Sequence, residues 1–176
     1  MENSIKSIAK NYGTYLGGLL VLWTVTGYAL NLELLVNFWI NLLILPIIII
    51  AFGVVSTAKS KSLLNGFLSF KQAFSSYFIT VAIGIMISTV VTVIIFNFVD
   101  PNAAIELKEM IVEKTISFME GFSAPAEDIA EAVEKIENQN TFGIGTQLKS
   151  LAQSLVFFAI IGLIVSAIMK KNPDTE

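Results

Sequence analysis

Five residues of one apolar run recur every four positions: Ser76, Thr80, Gly84, Ser88 and Thr92. On a helix that interval keeps small and hydroxylated groups on one slowly drifting face. In a membrane such a face serves one of two ends. It lets neighbouring backbones approach and bond across helices, or it lines a polar path for a solute. The packing reading is favoured, because small-residue faces are the ordinary contact surface of membrane bundles. Gly13 and Gly17 form a shorter pair of the same kind.

Little else in the chain is equipped for reaction chemistry. It contains no histidine and no cysteine, and every one of its 11 bases is lysine. That removes the imidazole base, the thiol nucleophile, the zinc site, the disulfide and the bidentate guanidinium fork. With no serine-histidine, paired-carboxylate or phosphate-loop constellation, the expectation is a protein without catalytic residues, cofactor or metal. The 14 acids give a net charge of -3, which removes a broad electrostatic case for nucleic acid. The acids that cluster after residue 100 follow helical spacing on a solvated face rather than the compact spacing of a calcium loop.

Any positioning of these residues falls to apolar helices. Of the 176 residues, 55% are hydrophobic and 14% charged, about half the charge of a soluble domain; the mean hydropathy is +0.74. A spanning helix needs about 20 apolar residues, and four runs qualify: about 12-32, 34-58, 72-99 and 148-169. The first two, fused, would far exceed a bilayer, so the chain must reverse around Asn31 to Glu33. None of the four interiors carries an ionisable group, which argues against a proton-coupled pump or a voltage sensor. Pro46 should bend the second run. Trp39, Tyr12 and Tyr15 suit interfacial belts, whereas Trp23 falls near mid-span as a packing residue. The first run is too long for a cleaved signal peptide and lacks a small-residue cleavage site.

Lysine placement sets the orientation. Lys6 and Lys10, then Lys59, Lys61 and Lys71, then Lys170 and Lys171 flank three connections or termini. The positive-inside rule assigns all three to the cytoplasm. The predicted class is an all-α membrane protein with four transmembrane helices, N-in/C-in, forming a single integral membrane domain over 1-176. Between helices 3 and 4 an extracytoplasmic segment, 100-147, is read as helical and amphipathic. Asp100 and Pro101 should stop the third helix, with Asn102 as a cap. Ile105, Leu107, Ile111, Val112, Ile116, Phe118, Met119 and Phe122 form an apolar arc opposite Glu106, Glu109, Glu113 and Glu120. A second short helix begins at Ser123 to Pro125 and ends at Glu137. The apolar arc should rest on lipid, on the bundle or on a partner.

The stretches ENSIKSIAKNYG, NGFLSFKQAF, FNFVDPN and the closing MKKN resemble the uncharacterised bacterial family called domain of unknown function 4199, over nearly the whole chain. Gly66, Ser69, Phe70, Gln72, Ala73 and Phe74 carry most of the resemblance, with Asp100 and Pro101 next. The resemblance implies a four-span protein of the bacterial cytoplasmic (inner) membrane, mainly in Bacteroidota, and brings no activity, cofactor or catalytic residue. Read physically, Ser69 would cap the third helix and Lys71 would mark the interface.

Two functional expectations follow. One is a non-enzymatic accessory or interaction protein, embedded in the lipid bilayer and meeting an envelope protein through 100-149. The other is a small homo-oligomer acting as a transporter, channel or lipid-linked-substrate permeation protein, with the stripe facing its path.

Overall fold

The computed structural model describes residues 2–171. The closing Asn172 of MKKN and the polar tail lie outside the described residues. Six α-helices follow one another: α1 Glu2–Leu30, α2 Leu45–Leu63, α3 Phe70–Ile94, α4 Pro101–Gly121, α5 Ala126–Glu137 and α6 Ile144–Met169. No strand interrupts them among the described residues. Four helical stretches are long and apolar enough to cross a membrane: Asn3–Leu30, Ile40–Leu63, Phe70–Val99 and Ile144–Met169. They form a bundle in which α3 packs against each of the other three. The remaining pair, α4 and α5, makes an antiparallel hairpin over one end.

The middle of the bundle is built around Tyr77. Its ring is fully buried and sits in a slot between two glycines. A Cβ at Gly53 of α2 would lie 2.5 Å from the ring, and one at Gly162 of α6 would lie 2.7 Å from it. Leu16, Leu20, Ile49, Val81 and Phe158 complete this core. In lipid such contacts stabilise through packing rather than through release of water. The Tyr77 hydroxyl is buried without a hydrogen-bond partner among the described residues. Outward, Leu22, Val90, Val156, Ile160 and Ile168 are exposed apolar side chains on three different helices, as a lipid-facing surface requires.

Seven lysines meet at one end of the bundle, because the ends that carry them are tied together there. Ile5 of α1 packs on Leu68 and Ala73. The backbones of Leu68 and Lys171 exchange two hydrogen bonds of 2.9 Å. Lys61 Nζ donates to Met169 O at 2.9 Å, placing a cation on the last carbonyls of α6, where the helix dipole favours it.

At the opposite end the helices lose regularity. The reversal after α1 occupies residues 31–37, longer than a turn at Asn31 to Glu33. The asparagines explain its length. Asn31 Oδ1 accepts from Glu33 N at 2.9 Å and opens a 3-10 turn, Leu32–Val36. Asn37 Oδ1 then accepts from Ile40 N at 3.2 Å. Such local side-chain bonds compete with a continuous helix. Residues 34–37, expected inside the second span, therefore belong to the connection, the helix resumes at Phe38, and its regular part extends beyond residue 58 to Leu63. Pro46 lies inside a continuous helical span, Ile40–Leu63, where it removes one backbone hydrogen bond. The irregularity precedes it as a wide π turn over Ile40–Ile44. A second π turn, Ile95–Val99, ends the third spanning helix.

The cap of α4 corrects another expectation. Asp100, not Asn102, is the N-cap: its Oδ1 accepts from Ala103 N at 3.1 Å. Pro101 then takes the first helical position and Asn102 lies within the helix. The hairpin turn after α4 uses Ser123 at φ 56, with Ser123 N donating to Glu120 O and Ala124 N to Met119 O. This is the paired bonding of a Schellman motif.

Candidate functional site

The hydroxyl stripe divides into two parts with different surroundings. At 3.6 residues per turn, a four-residue step advances about 40°, so Ser76 and Thr92 differ by about 160° around α3. No single neighbour can cover all five residues. Ser76, Thr80 and Gly84 are buried in the bundle. Ser76 Oγ lies 2.8 Å from Ser60 Oγ and 3.2 Å from Ser56 Oγ. Thr80 Oγ1 has three acceptors in reach: Ser56 Oγ and Ser76 O at 2.8 Å, and Ala9 O at 3.2 Å. With one proton it serves them in turn, joining α1, α2 and α3. A Cβ at Gly84 would lie 2.5 Å from Leu16 Cδ2. On the other side of that contact, Gly13 and Gly17 admit Ile83 and Ile87. This half of the stripe is a packing seam.

Ser88 and Thr92 are only half-buried, and neither hydroxyl has a hydrogen-bond partner among the described residues. Both face a recess of about 420 Å³ beneath α4. Trp23 and Thr24 of α1 and Asn41 of the first π turn form its walls, and Leu107 and Ile111 of α4 cover it. Its other polar groups are largely committed. Thr24 Oγ1 donates to Leu20 O at 3.0 Å. Asn41 Nδ2 donates to Leu35 O at 2.8 Å and to Asn37 O at 2.9 Å. The recess is lined by apolar side chains, an amide and hydroxyls, a surface on which an apolar molecule can lie.

A groove of about 400 Å³ adjoins the recess, sharing Val36, Asn41 and Ile111 with it. Phe38, Leu42 and Phe118 make the groove apolar, and Lys114 and Thr115 stand along it. The Phe38 and Phe118 rings are 4.5 Å apart. Lys114 Nζ lies 3.6 Å from Glu33 Oε1, with both side chains more than half exposed. An exposed pair of this kind contributes about 0–1 kcal/mol.

Of the apolar arc of α4, Leu107 is buried on the bundle, whereas Ile105, Phe118 and Phe122 stay exposed. Leu107 and Ala103 are buried with Ile95 and Phe96, against Tyr28, Leu35 and Phe142. Asp100 adds a second tie, its Oδ2 accepting from Tyr28 Oη at 3.1 Å. Asn97 Nδ2 bonds Phe142 O at 2.8 Å and holds the return to α6. Lys108 Nζ reaches Glu137 O at the end of α5. By contrast α5 has no buried residue; Ile129, Val133 and Ile136 are half-buried, while its acids are exposed. Among the described residues no three metal-ligating side chains gather into one group.

The residues around positions 66–74 build the lysine-end corner. Gly66, at φ 88, takes a conformation suited to glycine. Its N–H reaches Lys61 O at 3.0 Å while Asn65 N reaches Ser62 O at 3.2 Å, closing α2 with a Schellman motif. Ser69 and Gln72 open α3 with a reciprocal capping box. Ala73 is fully buried against Ile5. Phe70 is partly exposed, and Phe74 stacks on Phe78 at 5.6 Å. Each position except Phe70 has a structural assignment.

Several residues emerge only from the structure: Tyr77, the Tyr28–Asp100 pair, Asn97, and the Gly53, Ser56 and Ser60 face of α2. The last carried a signal in the sequence, small residues at intervals of three and four. Trp23, expected as a packing residue, borders the recess. The chain matches the family described as Protein of unknown function (DUF4199) over residues 11–171, and belongs to it. No curated protein and no solved structure matches it.

Proposed function

We propose that this DUF4199 protein is a four-span protein of the bacterial cytoplasmic membrane, with both termini inside, that acts without catalysis as an accessory element presenting α4 and α5 to an envelope partner. The observation that carries this reading is the division of labour within the hairpin. Its first helix is fastened to the bundle by Asp100, Ala103 and Leu107. Its second exposes Glu127, Asp128, Glu131 and Glu134. A fixed base holds an exposed helix at a defined height and orientation, as docking requires. The seven lysines at the opposite end support the orientation under the positive-inside rule. The self-satisfied hydroxyls of Ser56, Ser60, Ser76 and Thr80 favour an anchor over a pore, since a path would leave such groups to solute and water.

The absence of cysteine makes single-cysteine reporters free of background. In spheroplasts, Ala130→Cys should react with a membrane-impermeant maleimide, and Ser4→Cys should react only after permeabilisation. The reverse pattern would overturn the orientation. A photo-crosslinking residue in place of Ala130 should yield a discrete protein adduct that the same residue in place of Val156 does not. Identical adducts at both positions, or none at 130, would remove the docking role.

A further inference from the structure

We propose that the recess beneath α4 and the groove beside it bind one anionic phospholipid, an acyl chain filling the apolar hollow and the phosphate meeting Lys114. Each hollow, at about 420 and 400 Å³, falls in the range of small-molecule sites, about 300–1,000 Å³. Their shared residues Val36, Asn41 and Ile111 make them neighbouring chambers of one site. Leu20, Leu35, Val36, Leu45 and Phe96 give the inner chamber an apolar lining. Thr24 and Asn41 are committed, which leaves the Ser88 and Thr92 hydroxyls to hold a water beside the chain but not to fill the hollow with water, each bound water needing two to four polar partners. Apolar chain is the better occupant.

The source of that chain is also indicated. Leu42, which borders the groove, continues into Leu43, Ile44 and Ile47, which are all about half exposed on a spanning stretch. The groove is therefore continuous with the surface that meets lipid. Phe38 and Trp39, packed at 5.5 Å and exposed, mark the depth at which aromatic rings sit among headgroups. At that same level stands Lys114, a point charge suited to phosphate. Its exposed pairing with Glu33 is cheaply parted. The proposal rests on the helices spanning a bilayer and not on the docking role of α5, so failure of the Ala130 crosslink leaves it standing.

Trp23 borders the recess and is one of only two tryptophans. The Trp39→Phe protein therefore reports from the site alone. It would be reconstituted in phosphatidylcholine vesicles containing a minor fraction of phosphatidylglycerol brominated on its acyl chains. Trp23 emission should be quenched more strongly than that of a reference tryptophan at the lipid-facing position Val156, with both native tryptophans replaced by phenylalanine. Thr92→Phe, which fills the recess, should abolish the excess. Ser88→Leu serves the same purpose if circular dichroism shows Thr92→Phe to be misfolded. Lys114→Gln should remove the preference for brominated phosphatidylglycerol over brominated phosphatidylcholine. Quenching of Trp23 no stronger than at position 156, or excess quenching that survives a folded filled variant, would overturn the acyl-chain site. A headgroup preference indifferent to Lys114→Gln would overturn the phosphate contact.

Discussion

Gly84→Ala set beside Gly18→Ala measures the seam directly. Both glycines lie within long helices, so the backbone preference for alanine, about 1 kcal/mol, enters both variants alike and cancels in their difference. What remains is steric. At Gly18 an added methyl meets nothing within 4 Å. At Gly84 it would stand 2.5 Å from Leu16 Cδ2 and 2.6 Å from Leu16 Cγ, whereas unstrained carbons sit about 3.5–4.0 Å apart. Leu16 must retreat by about 1 Å, and it is fully buried against Leu20, Ile49 and Tyr77. Overpacking of this kind costs about 1–3 kcal/mol. Unfolding in mixed micelles, followed by circular dichroism against the mole fraction of dodecyl sulfate, should place Gly84→Ala below Gly18→Ala by that amount. Equal midpoints, or Gly84→Ala the more stable, would mean that α1 and α3 do not meet as described.

The two halves of the stripe should also respond differently to loss of a hydroxyl. Thr80→Val removes the junction of three helices and should cost about 0.6–1.7 kcal/mol; Ser88→Ala, with no bond to lose, should change the same unfolding midpoint by no more than about 0.5 kcal/mol. Asp100→Ala removes the cap of α4, worth about 0.5–2 kcal/mol, together with the bond from Tyr28. Hydrogen exchange should then rise through residues 101–121 while α3 stays protected, and Tyr28→Phe should give a smaller rise in the same place.

The helices were readable from the chain because lipid imposes a length and a composition on each span, and because Ser69 and Gln72 satisfy backbone groups locally. The hairpin was readable for a similar reason: the carboxylates of α4 repeat on one face of a helix. The split in the stripe was not. It depends on which neighbour covers each sector of α3, and residue spacing alone does not name the neighbour. Asp100 marks the boundary in the sequence but not the cap, since positions 100 and 102, on either side of Pro101, both carry capping side chains. Asn31 and Asn37 signalled a longer reversal, but the apolar residues between them matched a span equally well. The recess left no mark at all, being the space between an irregular connection, α3 and a helix that folds back over both.

The slot around Tyr77 constrains how the chain can change over generations. One ring and two missing methyls, carried by three helices, conserve a volume that no single replacement preserves. Enlarging Gly53 or Gly162 collides with the ring, and shrinking the ring empties the space that the glycines were kept small to admit. Substitutions at 53, 77 and 162 should therefore be inherited as a set. A homologue with a smaller residue at 77 should show larger ones at the two glycine positions, which ties together parts of the chain that no local motif connects.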